Sequence, residues 1–171
     1  MMNDIPPLRK VTASVLTPLG WLRGVFQVPA PQSLVDFLAS GSPIVKFTKV
    51  RLPGAAEAIP FVALRRDSVS VIEPTTQDEQ VEPLGSMGRT APHDVACLFP
   101  SGVLRGTLEV LVNVRVSDFL RQQASLVVLR RCVFAPHNEP LNSPQARKLL
   151  IAVVNMAATV GVAEWENLRV G

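Results

Sequence analysis

The feature that most constrains the fold of this chain is an internal repeat. Residues 16–47 (LTPLGWLRGVFQVPAPQSLVDFLASGSPIVKF) align without a gap with residues 98–129 (LFPSGVLRGTLEVLVNVRVSDFLRQQASLVVL), 82 positions later. Eleven of the 32 aligned residues are identical, including the pattern L-x-P-x-G-x-L-R-G and a later Asp-Phe-Leu. Unrelated segments of this length share about two identities, so the alignment predicts a duplicated structural unit.

Both copies continue in a similar way and enclose a polar connector. FVALRRDSVSVIEP (61–74) resembles LIAVVNMAATVGVAEW (150–165) after an insertion. The intervening stretch is acidic and rich in Pro and Gly, which is typical of a linker. We therefore predict a first unit at 1–74, an acidic linker at 75–94 and a second unit at 95–171.

Residue periodicity within each unit favours strands. Val11, Ala13 and Val15 recur two positions apart, which is the period of a half-buried strand. Ser33, with Asp36 three positions later, matches a capping box and predicts a short helix. Each unit is therefore expected to contain two strands, a short helix and three further strands.

Gly24 and Gly106 occupy the same position inside the second predicted strand of each unit. A glycine inside a strand often marks a bulge or a sharp bend, and a bend lets a short sheet curl on itself. Units of about 65–70 residues are at the lower size limit for an independent core. The predicted fold class is mainly β, with tandem duplicated small truncated β-barrels, each with a short helix between its second and third strands.

The residue types give little support for an enzyme or a metalloprotein. The chain has two Cys and two His, without CxxC or HExxH spacing, so we expect no metal site and no cofactor. The sequence does not exclude a catalytic pair in which His137 is the base and Cys132 the nucleophile. A Cys inside a strand, however, is usually a small buried residue. We predict no catalytic residues and no enzymatic activity.

Charge and hydropathy limit the classes of partner. The 17 basic and 14 acidic residues give a net charge of +3, which is not typical of a polyanion-binding protein. The pairs Arg65-Arg66 and Arg130-Arg131 point to opposite faces of their strands, so nucleic-acid binding is not expected. The sequence has no apolar run of about 18 residues, so no membrane span is predicted. No signal peptide is indicated either, so we expect a cytoplasmic protein.

Two resemblances follow from these motifs. The strand order with a Gly-containing second strand, LRG at 22–24 and at 104–106, resembles the small barrels of Sm-like and SH3-like proteins. LVDFLA (34–39) and VSDFLR (116–121) are similar to an "xLSDFLN" signature of small bacterial domains of unknown function. Duplicated proteins of this kind resemble the peptide-binding accessory proteins of crocagin biosynthesis, a ribosomal-peptide natural-product pathway.

The resemblance implies a non-enzymatic function, in which a precursor peptide adds a strand to an open barrel edge. Such an edge exposes backbone groups with which an extended peptide can pair, and the mild positive charge of each unit favours an acidic peptide. We predict that the binding strand is one of two equivalent segments: Phe61, Val62, Ala63, Leu64 and Arg65, or Ile151, Ala152, Val153 and Val154. The same edge could pair with a second copy to give a homodimer. The alternative function is an Sm-like RNA-binding or ring-forming module.

Overall fold

The protein is mainly β, as predicted. The structure, a computed structural model, describes residues 5–75, 81–82, 88–122 and 125–164. Strands account for 56% and helices for 13% of these residues, and no helix among them is long and apolar enough to cross a membrane. The chain divides into two compact units, Met1–Gly85 and Ser86–Gly171.

The first unit is an antiparallel sheet of five strands with one short helix. Its strands are β1 (Leu8–Thr17), β2 (Gly20–Pro29), β3 (Ile44–Arg51), β4 (Ile59–Arg65) and β5 (Val71–Pro74), and helix α1 (Leu34–Ala39) lies between β2 and β3. A 3₁₀ turn at Arg66–Ser68 joins β4 to β5. The strand order is β5-β1-β2-β3-β4. Because no described residue of β4 pairs with β5, this sheet is not closed by hydrogen bonds.

The second unit has the same sequence of elements. Its strands are β6 (Thr90–Phe99), β7 (Gly102–Leu111), β8 (Leu126–Pro136), β9 (Arg147–Asn155) and β10 (Gly161–Glu164), and helix α2 (Val116–Gln122) lies between β7 and β8. A 3₁₀ turn at Met156–Ala158 joins β9 to β10. The strand order is β10-β6-β7-β8-β9, which is the order of the first unit.

The pairing registers of the two units also correspond. The β1–β2 and β6–β7 hairpins have the same register, shifted by 82 positions. Phe47 pairs with Val62 in the first unit, and Leu129 pairs with Ala152 in the second. The shift is therefore 82 positions up to β8 and 90 positions in β9, because the second unit has extra residues between these two strands.

Each unit has a β-bulge at the same place. The register between the second and third strands shifts after Arg23 in the first unit and after Arg105 in the second. In the third strands, Lys49 and Arg131 each have a φ of 51°, which is uncommon for a residue other than glycine. A bulge bends its strand and increases the local twist, so both sheets curve at equivalent positions.

Glycine lets the second strand approach the core closely at this bulge. A Cβ added to Gly24 would lie 2.6 Å from the Phe47 ring, and one added to Gly106 would lie 2.8 Å from the Cys132 sulfur. The Phe47 ring is fully buried, and its centroid lies 4.6 Å from that of Phe26. The ring has little room to move, so the two glycines that the sequence predicted to mark a bend are required by packing.

Helix α1 begins at the predicted cap. The Ser33 hydroxyl accepts a hydrogen bond from the Asp36 N–H at 3.1 Å, which confirms the capping interaction and satisfies a free donor of the first turn. Leu34 and Leu38 are the buried residues of this helix. In the second unit Arg115 occupies the corresponding position, and its guanidinium has no acceptor atom.

The second unit begins earlier than predicted. β6 starts at Thr90, five residues before the predicted boundary, so 90–94 belong to a strand and not to the linker. Pro92 and Asp94 are poor strand formers, which is why this extension was missed. The two 3₁₀ turns were not predicted either.

Replacing Gly24 by Ala is expected to destabilise the first unit, because the new Cβ clashes with the buried Phe47 ring. Overpacking of this kind costs about 1–3 kcal/mol. Gly161→Ala is the control, because nothing lies within 4 Å of a Cβ at that position, and its effect should stay below about 0.5 kcal/mol. Urea unfolding followed by circular dichroism measures both variants. Equal free energies of unfolding would contradict the packing argument.

Candidate functional site

Strand β4 forms one edge of the sheet of the first unit. It pairs with β3 on one side, and no described residue pairs with its other side. A strand in this position exposes a row of backbone N–H and C=O groups with which another extended chain can pair. The predicted segment 61–65 therefore lies along a free backbone edge.

The register with β3 determines which residues of β4 face outward. At the end of this ladder, the Arg66 N–H donates to the Pro43 carbonyl at 2.9 Å. Hydrogen-bonded and non-hydrogen-bonded pairs alternate in an antiparallel ladder, so Val62 and Leu64 also bond to β3. The backbone groups that point away from β3 are then those of Ile59, Phe61, Ala63 and Arg65.

Three of these outward residues keep both backbone groups unpaired. The Arg65 carbonyl accepts a hydrogen bond from the Ser68 hydroxyl at 2.7 Å, so one acceptor is already occupied. Among the described residues, none bonds to the outward N–H or C=O groups of Ile59, Phe61 and Ala63. This run offers a donor and an acceptor at every second residue, which is the pattern that an added strand needs.

The side chains beside this edge form a mixed apolar and basic surface. Phe61 is 52% exposed and Ile44 is 45% exposed. Lys46 is paired with Ala63, and its Nζ lies 5.9 Å from the centroid of the Phe61 ring, within the range of a cation–π contact. Residues paired directly across a ladder share a face of the sheet, which adds Arg65 opposite Ile44. We call Ile44, Lys46, Phe61, Ala63 and Arg65 the β4 face.

The other two residues of the predicted segment lie on the opposite side of the strand. Successive side chains of a strand point to opposite faces. Leu64 is buried and Val62 is half-buried, so both pack toward the interior of the first unit. Their side chains support the fold, and the residues of this segment with exposed side chains are Phe61, Ala63 and Arg65.

The second predicted segment, Ile151 to Val154 in β9, offers little side-chain surface. Ala152, Val153 and Val154 are buried, and Ile151 is half-buried. Burial of successive residues means that both faces of the strand are covered. The two segments appeared equivalent in the sequence, but their exposure distinguishes them and favours β4 as the accessible one.

Sequence analysis missed the contribution of β3 to this surface. Ile44 and Lys46 alternate along β3 with the buried residues Val45 and Phe47. This alternation is visible in the sequence as I-V-K-F and could have identified the exposed pair. Their position beside Phe61 could not be found in this way, because it depends on the β3–β4 register.

The histidines and cysteines are engaged in separate contacts or buried. His93 Nδ1 lies 3.1 Å from a carboxylate oxygen of Glu164, whereas His137 Nε2 donates to the Phe99 carbonyl at 2.8 Å. Burial raises the pKa of Cys97 to about 12, so this thiol stays protonated at neutral pH. In the part of the chain that the structure describes, no three His, Cys, Asp or Glu residues are grouped to hold a metal ion.

Comparisons with known proteins do not assign this site. Searches with the chain against models of protein families, curated proteins and solved structures found no match. The β4 edge and the β4 face are therefore interpreted from their own geometry and charge.

Amide hydrogen exchange is expected to alternate along β4. The Val62 and Leu64 N–H groups donate to β3 and should exchange slowly, whereas the Phe61 and Ala63 N–H groups face solvent and should exchange at least about 100-fold faster. In the part of β1 that is paired on both sides, Ala13 to Leu16, adjacent residues should all be protected. Exchange followed by NMR measures these rates. Slow exchange at Ala63 would mean that the outer edge is already covered.

The Cys97 thiol is expected to be unreactive in the folded protein. With a pKa of about 12, only about one thiol in ten thousand is ionised at pH 8. In a Cys132→Ala variant, which leaves Cys97 as the only thiol, DTNB should label this residue slowly in buffer and rapidly in urea. Stoichiometric labelling of the folded variant within minutes would show that the thiol is accessible and ionised.

Proposed function

We propose that the protein binds an extended peptide by strand addition at the outer edge of β4, without catalysis. The observation that carries this proposal is the run of unpaired backbone groups at Ile59, Phe61 and Ala63 beside an exposed face. A peptide laid along β4 pairs with these groups, and every second side chain of the peptide contacts the β4 face. Backbone pairing supplies affinity, and the side-chain contacts supply specificity.

The charge of the β4 face favours an acidic peptide. Lys46 and Arg65 lie on this face, which includes no acidic residue. Phe61 and Ile44 add exposed apolar surface beside the two cations. A peptide in which acidic and branched apolar residues alternate can pair its backbone with β4 while its carboxylates approach Lys46 and Arg65.

The free energy available at this edge is sufficient for a moderate affinity. Each backbone hydrogen bond contributes about 0.5–1.5 kcal/mol net, and full burial of a side chain such as Phe61 adds about 1.5–3 kcal/mol. The loss of translational and rotational freedom opposes these gains by about 4–15 kcal/mol. At the favourable end of these ranges, six backbone hydrogen bonds and one buried side chain leave a net gain of about 8 kcal/mol, which corresponds to a roughly micromolar dissociation constant.

The biological role that we propose rests on the internal repeat and on the resemblance of its motifs to those of known proteins. The chain is interpreted as a tandem duplication of a small truncated barrel, which the matching element order and registers support. LVDFLA and VSDFLR resemble a signature of small bacterial domains of unknown function, and duplicated proteins of this kind are similar to accessory proteins in ribosomal-peptide biosynthesis. We therefore place the partner among precursor peptides and assign the protein a cytoplasmic, non-enzymatic accessory role.

Replacing Ala63 by Pro is expected to abolish peptide binding without unfolding the first unit. The Ala63 N–H points away from β3, so proline removes a donor from the outer edge and no hydrogen bond of the β3–β4 ladder. Fluorescence anisotropy with a labelled peptide that alternates Glu and Val should show saturable binding to the unmodified protein. For Ala63→Pro the affinity should fall by at least about tenfold.

Ala63→Val is the matched control, because it keeps the N–H and should bind within about threefold of the unmodified protein. Unchanged affinity for Ala63→Pro would exclude strand addition at β4. Light scattering tests whether the edge of β4 pairs with a second copy of the chain instead. An oligomer that Ala63→Pro disrupts would show such pairing, as a homodimer or a ring. Binding of single-stranded RNA with an affinity that falls steeply with salt would favour the Sm-like alternative.

A further inference from the structure

Two arginines of the first unit lie opposite each other on neighbouring strands. Arg23 of β2 and Arg51 of β3 are directly paired in the ladder, and both side chains are exposed. Their chain neighbours Leu22, Gly24 and Val50 are buried, so the two arginines share the outer face of the sheet. Like charges directly opposite each other in a ladder are destabilising. An anion between the two guanidinium groups removes this repulsion.

The packing of the core keeps the two arginines together. The pair lies beside the β-bulge at which the register between β2 and β3 shifts. On the other side of the pair is Val50, which is fully buried, and Gly24 lies against the Phe47 ring. A slip of the ladder by one residue would expose buried side chains. The core therefore fixes the register that places Arg23 opposite Arg51.

No described residue neutralises the arginine pair, since neither guanidinium forms an ion pair or a hydrogen bond with another described residue. The nearest acid in the same row of the sheet is Glu73, which is two strands from Arg23, because Ser14 lies between them. Glu57, in the loop that follows β3, is exposed and forms no ion pair with either arginine. The exposed Lys49 adds a third cation at the bulge.

The fold does not require an arginine at both positions. By the shift of 82 positions, Arg23 corresponds to Arg105 and Arg51 corresponds to Val133. Arg105 and Val133 are paired in the same way beside the bulge of the second unit. A valine at this position is thus compatible with the same bulge and the same order of elements. Arg51 is therefore a feature of the surface of the first unit and not of its core.

The arginine pair lies just beyond one end of the free edge of β4. Val50 pairs with Ile59, the first of the three residues with unpaired outward groups, and Arg51 follows Val50 in the chain. A peptide added to β4 lies two strand spacings from β3, which is about 10 Å between backbones. A glutamate and an arginine side chain span this distance together. The loop at 52–58 has Gly or Ala at four positions, so few bulky side chains lie between.

We infer that Arg23 and Arg51 form an anion-binding subsite of the β4 edge, which receives a carboxylate of the bound peptide. The inference rests on the proposed function and adds that the peptide continues past Ile59 and carries an acidic residue there. The fork of a guanidinium group matches the two oxygens of a carboxylate. With Lys46 and Arg65 on the β4 face, cations then lie along the whole length of the bound peptide.

Peptides with extended ends test this subsite. The probe is the labelled peptide that alternates Glu and Val, lengthened by a run of glutamates at its N-terminal or its C-terminal end, with runs of glutamines as controls. A glutamate run that reaches the arginine pair should tighten binding about three- to tenfold relative to its glutamine control. A gain at the C-terminal end indicates antiparallel addition to β4, and a gain at the N-terminal end indicates parallel addition. If neither end gives a gain, the inference is wrong.

Arg51→Val introduces the residue that the second unit has at this position. It should abolish the gain from the glutamate run, while the affinity for the peptide without extension stays within about twofold. Its thermal midpoint should not fall, because the change removes a repulsion. Lys10→Gln is the matched control, since it removes an exposed cation of β1 that pairs with Gln27, away from the arginine pair. This control should keep the gain. Equal losses in the two variants would show general charge attraction and overturn the inference.

A measurement without peptide separates the subsite from strand addition. At constant ionic strength, inorganic phosphate should raise the thermal midpoint of the unmodified protein more than that of Arg51→Val, because an anion that binds the folded state stabilises it. Ala63→Pro should keep the full response. Equal responses of the unmodified protein and Arg51→Val would overturn the subsite. Loss of all peptide binding with an intact phosphate response would instead refute strand addition at β4.

Discussion

The rest of the structure depends on the close approach of the second strand to the core at Gly24 and Gly106. At Gly24, the Phe47 ring occupies the space that a Cβ would need. The neighbouring third strand bulges at Lys49. The bulge shifts the pairing register between β2 and β3, whereas the register between β3 and β4 is the same on both sides of the bulge. The bulge therefore curves the sheet without altering which residues of β4 face outward.

The two units share this frame but differ where their side chains meet solvent. By the shifts of 82 and 90 positions, the charged residues Lys46 and Arg65 of the β4 face correspond to Val128 and Asn155 in the second unit. These two counterparts are half-buried and buried, respectively. The second unit instead carries larger apolar side chains beside α2. The packing that defines each unit is thus similar in both, while the exposed residues form different surfaces.

Sequence reasoning succeeded where the determining interactions are local. The Ser33 cap and the apolar alternation of β1 each act within a few residues, so the helix and the strand could be predicted. The outward direction of Ala63 could not, because it depends on the register with β3. The difference in burial between Ala63 and Val153 depends on tertiary packing. The burial of Val81, which is 7% exposed, was missed because a single apolar residue between acidic residues has the pattern of a solvated linker.

The charge of the β4 face also bears on which strand can occupy this edge. Two copies that paired through β4 would bring cations from both faces together, and like charges across a ladder are destabilising. Lysine and arginine beside an edge are a common protection against self-association. An acidic strand meets no such repulsion, because its carboxylates neutralise Lys46 and Arg65. The same side chains that disfavour pairing with a second copy therefore favour an acidic partner.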